Sequence, residues 1–398
     1  MKLLYVTAVW AGLDEPNMHV AFVKEAAARG HDVTVMALCE KRTGKETSFE
    51  VKDHIRVLSV RCGNIQKTNK YEKVISSVLA NFHMLRSMRR FLRGERYDLV
   101  VWSVSTTLIC FAVQQICKSC HAREYLLLKE YWPQDPVDLG ALKEGGLVYK
   151  VLRYVEKTML DKADRIGVSS PAGIRYVEER YPWNAAKCEV CPHCEMPLEV
   201  QPAWKSTIRE KYGISPDKTV FLYGGNFGIS QGVDDMIACV RGIEDISDAQ
   251  VVLLGSGTEF QRVRGALIDC RNVLCMDAMG YREFFQFATA CDCGLIFLYR
   301  NYHVPNVPGK LNTYLNAEIP IIACVDDYTD AGRIVEDGGA GFSVRSGDVQ
   351  AFRQAVLDML DGQHRTEMAC AAKQLLLTCF TPEISVKTVE EYERTWRA

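Results

Sequence analysis

The stretch that decides how this chain is read is Phe221-Leu222-Tyr223-Gly224-Gly225-Asn226-Phe227-Gly228-Ile229-Ser230-Gln231-Gly232-Val233-Asp234. An apolar run breaks into glycines and then into a helical pattern. Glycine lets the backbone approach a ligand closely, and a following helix turns its N–H groups and positive dipole end toward the turn. The segment therefore predicts strand, phosphate-shaped turn and helix, although many such turns need glycine for geometry alone. About eighty residues on, Pro305-Asn306-Val307-Pro308-Gly309-Lys310-Leu311 places a lysine at the start of another helix. A cation beside a helix N-terminus suits a diphosphate.

Outward from this pair, apolar runs at Val220–Tyr223, Val251–Leu254, Val273–Met276, Cys293–Phe297 and Ile321–Val325 alternate with helical patterns. The first half has the same rhythm at Leu3–Val6, Val33–Leu38, Asp98–Trp102, Glu124–Leu128 and Arg165–Val168. Runs of this kind predict parallel sheets covered by helices on both faces. The expectation is an α/β chain of two doubly wound halves facing across a cleft, with ligands at the carboxyl ends of the strands. A cluster of Pro192, Pro197 and Pro202 sets the boundary, giving domains 1–196 and 197–382, and the segment 383–398 is expected to be a helix crossing back onto the first half. Between Asn69 and Arg96, Val74, Ile75, Val78, Leu79, Phe82, Leu85 and Phe91 predict one long helix with a basic flank at Arg86, Arg89, Arg90, Arg93 and Arg96.

The 398 residues suffice for two cores, and the formal net charge is only −2. The first 196 residues are mildly basic, with about 29 Lys and Arg against about 23 Asp and Glu, and the rest is net acidic by about eight. That asymmetry is compatible with an anionic membrane surface or acceptor, and equally with a solvated surface. It is too weak for nucleic acid, for which no recognition module is present. Sixteen cysteines lie among apolar neighbours and form no short disulfide framework. Met1–Thr7 is too short an apolar run for a signal peptide, so a cytoplasmic protein is expected, with a peripheral place on the inner membrane face compatible with its charge. No run of eighteen apolar residues occurs.

The order and spacing of several motifs resemble the retaining glycosyltransferases of family 4, which have the two-Rossmann GT-B architecture. The bacterial surface-polysaccharide and N-acetylfucosaminyltransferase-like group is the nearest resemblance. The first-half marks are Arg29–Val35, Glu130-Tyr131-Trp132-Pro133, Leu160–Ile166 and Ser169-Ser170-Pro171. Those of the second half are Tyr223–Gly228, Gln231-Gly232, Leu254–Gly257, Val307–Lys310 and Tyr314 with Pro320–Ile322. The resemblance covers nearly the whole chain.

It implies a nucleotide diphosphate sugar as donor, a uridine diphosphate sugar above all, and a lipid-linked saccharide as acceptor. No metal and no further cofactor are expected. Gly225 and Asn226 would line the pyrophosphate, with Gln231 beside them, and Lys310 would neutralise phosphate charge. His303, Asn306, Pro308, Gly309 and Thr313 would complete the donor side, while Glu130, Trp132 and Gly12 would face the acceptor. This is leaving-group catalysis, in which preorganised donors meet the charge that develops on the diphosphate. The chain departs from the family at Pro305 and Thr313, where a pair of glutamates eight apart is usual, and at Glu318, where glycine is usual.

Other residues carry competing readings. Cys188, Cys191, His193 and Cys194 have C-x-x-C spacing, but the matching segment of the family is a plain linker strand, which is favoured here over zinc. Glu130 fits acceptor orientation and fits helix capping. Three functional classes stay open: a transferase, a sugar-nucleotide epimerase of the same architecture, and a catalytically silent subunit of a glycan-assembly complex.

Overall fold

The computed structural model describes the chain except Ala11, Gln66, Lys67, Ser105, Thr106 and Ala398. Its contacts divide it into two units, Met1–Met196 with Pro382–Ala398, and Pro197–Thr381.

The first unit is built on an eight-stranded sheet. Its strands are β1 (Lys2–Thr7), β2 (Asp32–Glu40), β3 (Ser48–Lys52), β4 (Ile55–Cys62), β5 (Leu99–Ser103), β6 (Arg123–Leu128), β7 (Arg165–Val168) and β8 (Cys188–Val190). They lie in the order β3-β4-β2-β1-β5-β6-β7-β8. Central β1 pairs in parallel with β2 (Leu3 with Val33) and with β5 (Leu3 with Leu99), and Leu3 to Val6 are wholly buried. A strand covered on both faces has no polar side, which is why its sequence is an unbroken apolar run. The helix Met18–Ala28 begins where Asn17 Oδ1 accepts the N–H groups of His19 and Val20, a cap that satisfies two otherwise orphaned donors.

Two expectations need correction here. Strand β3 runs antiparallel to β4 through the left-handed residues Asp53 and His54, so the sheet is not wholly parallel. All of its residues are exposed, so it carries no burial pattern by which to foresee it; β8 has only three residues. The long helix spans Lys70–Phe91 and stops before Gly94, whose φ of 79° is left-handed, not at Arg96.

The last helix, Pro382–Arg397, belongs to the first unit. Val386 and Val389 enter its core beside Tyr5 and Phe22, and Glu390 takes both Arg29 (2.9 and 2.7 Å) and His31 (2.7 Å). The Arg29 and His31 contacts hold the Glu390 carboxyl down at about 2. His31 is thus a structural residue.

The second unit has six parallel strands: β9 (Thr219–Asn226), β10 (Ala249–Ser256), β11 (Val273–Asp277), β12 (Cys293–Phe297), β13 (Ile321–Val325) and β14 (Gly341–Arg345). Their order is β11-β10-β9-β12-β13-β14. The strand order reverses between β9 and β12, and crevices at such switch points are where open α/β sheets bind ligands.

Candidate active site

The carboxyl end of β9 differs from the strand, turn and helix that the sequence suggests. The strand continues through both glycines, pairing Gly225 with Gly255 and Asn226 with Ser256. It continues because the partner strand also ends in glycine: a Cβ on Gly255 would stand 1.8 Å from the Gly225 carbonyl oxygen. A short 3-10 turn, Ile229–Gln231, then precedes the helix Val233–Arg241. The helix N-terminus therefore lies beyond Gly232, and Gly225 and Asn226 form a bare, exposed strand edge.

Lys310 stands against that edge. It occupies the first turn of the helix Gly309–Asn316, entered through Pro308, and a Cβ added to Gly225 would be 4.0 Å from its Cε. Its Nζ donates to Gln231 Oε1 at 2.9 Å and lies 3.7 Å from the centre of the Tyr223 ring. An amide oxygen and a π face steady a cation without neutralising it. Burial, which penalises the charged form, brings the ammonium down to about 7.

Two tyrosines that the sequence marks as motif positions, without a role in the site, set this geometry. The Tyr223 hydroxyl lies 2.7 Å from the Asn226 carbonyl and 3.1 Å from Gln231 Oε1, so one side chain fixes the strand edge, the amide and the lysine. Tyr314, one turn after Lys310, receives the Gly224 N–H at 2.9 Å and ties that helix to β9. A tyrosine inside an apolar strand or helix carries no signal of such a role.

The remaining donor-side residues are less closely gathered. His303 packs edge-on against Tyr328 at 4.6 Å, and the Asn306 carbonyl accepts from Thr329 at 2.6 Å, so both are tied to the loop after β13. Gly309 is exposed, and Pro308 and Thr313 are buried. Asp234 and Asp235 diverge, to Arg262 (2.5 Å) and Arg300 (3.1 Å). Glu318 has φ 57°, a left-handed conformation that explains why glycine suits the position, and pairs with Lys373 at 2.7 Å.

In the first unit, Glu130 follows the end of β6 and remains accessible to solvent. Surrounding protein desolvates its carboxyl and Asp135 repels it; against Lys73 and a hydrogen bond from Trp132, the net effect raises it to about 7. The Tyr131 N–H of this loop is taken by Asp135 at 3.0 Å, so Asp135 and not Glu130 serves the turn. Trp132 precedes Pro133 across a cis bond, and the Lys73 ammonium sits 4.7 Å from its ring centre. Gly12, in the loop after β1, has φ 129°, which favours glycine.

The cysteine segment is part of the first unit's core. Cys188, Cys191 and Cys194 direct their sulfurs to three separate carbonyls, of Asn184 (3.5 Å), Ser385 (3.9 Å) and Met18 (3.6 Å). The Lys129 ammonium binds the Cys191 carbonyl, and His19, on the Tyr5 hydroxyl at 2.8 Å, is lowered by burial to about 4. Among the described residues, no group of three or more His, Cys, Asp and Glu side chains is placed to hold a metal.

Comparison with known proteins assigns both units. Residues 20–194 match the glycosyl transferase 4-like domain, and residues 218–362 match the glycosyl transferases group 1 domain. The chain belongs to the family 4 type of glycosyltransferases. It is 22% identical over 314 residues to the probable glycosyltransferase WbjE of Pseudomonas aeruginosa, an alignment that covers 74% of each chain. Among solved structures it resembles sucrose-phosphate synthase from Thermosynechococcus elongatus, with a TM-score of 0.77, 15% identity and full coverage of both chains. It also resembles the Anabaena protein HepE in complex with UDP and glucose, with a TM-score of 0.68 and 13% identity over 99% of this chain and 100% of that one. Identities this low establish the fold, which is GT-B.

Proposed function

We propose that this glycosyltransferase moves a sugar from a uridine diphosphate donor to a lipid-linked saccharide, with retention of anomeric configuration and without an obligatory metal ion. The observation that carries the donor half is the setting of Lys310, a partly dehydrated cation held by neutral groups beside a bare glycine edge at the switch point of the second sheet. Such a site gains most from a ligand that brings negative charge. When the bond from the anomeric carbon to the diphosphate oxygen breaks, its electron pair stays on the diphosphate. Protonated Lys310, close against the side-chain-free Gly225, and the backbone N–H of Asn226 then stabilise the growing charge. The acceptor hydroxyl, oriented by Glu130 beside Trp132, forms the new bond to the anomeric carbon and passes its proton to the departing diphosphate oxygen.

The HepE complex, which contains UDP, supports a uridine diphosphate donor by analogy. Metal independence is supported by the lysine at this position and by the commitment of Asp234 and Asp235 to arginines. The test is UDP release from a panel of UDP-sugars in the presence of a chelator, with and without a saccharide acceptor, and proton NMR of the product. UDP release that accelerates with acceptor, and a preserved anomeric configuration, are expected. A requirement for added manganese, an inverted product, or epimerisation of the donor with no acceptor present would each overturn the proposal.

A further inference from the structure

The helix Lys70–Phe91 is built inside out. Its buried side consists of Ser76, Ser77, Ala80, Met84, Ser87 and Met88, packed so closely that a Cβ on Gly63 would lie 2.2 Å from Ser76 Oγ. Its outward side carries Tyr71, Val74, Ile75, Val78, Leu79 and Phe82, spaced three and four residues apart on one face; Tyr71 is 84% and Phe82 62% exposed. The helix is locked in this orientation by Asn81, whose side chain donates to the Leu108 carbonyl and accepts the Ala112 N–H, both at 2.8 Å. A second helix, Leu147–Lys162, shows Leu147 (80% exposed), Val148, Val151 and Tyr154 to solvent, and both helices pack against the turn Thr107–Ile109. Apolar exposure on this scale marks a surface that something covers.

We infer that this surface inserts into the headgroup region of an anionic phospholipid bilayer. Charge favours lipid as the occupant. Arg86 and Arg89 are exposed and stand one and two turns beyond Phe82 on the same face, so the stripe is apolar for three turns and then basic. The one acid of the helix, Glu72, is turned back onto Asn64 (2.8 Å) and Thr68. A second copy pairing the same face with itself would bring these arginines against one another or against apolar side chains, whereas a bilayer surface offers phosphates and acyl chains together. The inward side of the same helix reaches the proposed acceptor loop, where Lys73 sits over Trp132. Docking there would bring a lipid-linked acceptor to Glu130; that consequence rests on the transfer proposal, while the docking face does not.

Cosedimentation of the full chain with vesicles of phosphatidylcholine, and of phosphatidylcholine mixed with phosphatidylglycerol, tests the inference. The wild type is expected to prefer the anionic vesicles and to keep part of its binding at about 1 M salt, where the Debye length is only about 3 Å. The V78D/F82D double variant is expected to lose about tenfold or more in partition at low and high salt. R86S/R89S is expected to bind both vesicle types alike. All four positions are exposed, and circular dichroism melting checks that the variants fold. Equal binding by wild type and V78D/F82D overturns the inference, as does no binding by the wild type at low salt. A wild-type dimer in solution that V78D/F82D converts to monomer, without vesicle binding, overturns it in favour of a second copy. UDP release without acceptor separates the two proposals. Release intact with vesicle binding lost removes only the docking face; binding intact with no release removes only the transfer reading.

Discussion

The two units lay their sheets on one plan and finish their strands in opposite ways. In the second unit the end of β9 is stripped to Gly225 and Asn226, with a lysine laid beside it on a tyrosine face. In the first unit the end of β6 keeps a carboxyl and an indole, Glu130 and Trp132, next to a helix that turns its apolar face outward. A bare backbone with a cation suits a phosphate, whereas an acid and an aromatic ring suit hydroxyls and a sugar face. The same physical cause brings the pKa values of the two groups together. Desolvation lowers Lys310 from 10.5 and raises Glu130 from 4.5, both to about 7.

Breaking the first-unit end alone gives a large expected effect on transfer. Glu130→Gln keeps the size of the side chain and removes the carboxylate that would orient the acceptor hydroxyl. It is expected to slow transfer by about 100-fold, the scale of a misplaced reactant, while acceptor-free UDP release stays unchanged. Steady-state kinetics with and without acceptor check this; an equal loss in both reactions would erase the proposed division between the units.

The pH profile sharpens the same comparison with a smaller effect. Above about 7, free Lys310 is mostly neutral, and a bound diphosphate would raise its pKa, so binding takes up a proton. Donor affinity is therefore expected to fall by about tenfold per pH unit above 7, until the pKa of the complex is reached. Glu130 acts in the other direction, since its carboxylate is lost as pH falls below about 7. Transfer is expected to follow a bell centred near neutrality, and Glu130→Gln to remove only the acid limb. Calorimetry in buffers of different ionisation enthalpy measures the proton uptake, and an affinity independent of pH between 7 and 9 would contradict it.

How much of this was legible in the sequence depended on whether burial left a pattern. Parallel strands such as Leu3–Val6 and Val251–Leu254 are covered on both faces, so their apolar runs announce them. The exposed β3 and the three-residue β8 left no such trace. Lys310 could be read because Pro308 and Gly309 mark a helix start, yet the support it takes from Tyr223 could not, since a strand tyrosine reads as core. The helix Lys70–Phe91 teaches the sharpest lesson. Periodicity reports which residues share a face and not which way that face points, and here the serines and alanine went inward.

The central claim is that Lys310 and the Gly225–Asn226 edge hold the donor's diphosphate, and titration calorimetry of UDP into the wild type and Lys310→Ala tests it most directly. Loss of one charged hydrogen bond is expected to weaken binding by about 1.5–3 kcal/mol, roughly 10- to 150-fold, with the melting temperature of the free protein not lowered. Equal UDP affinity in the two proteins would contradict the account.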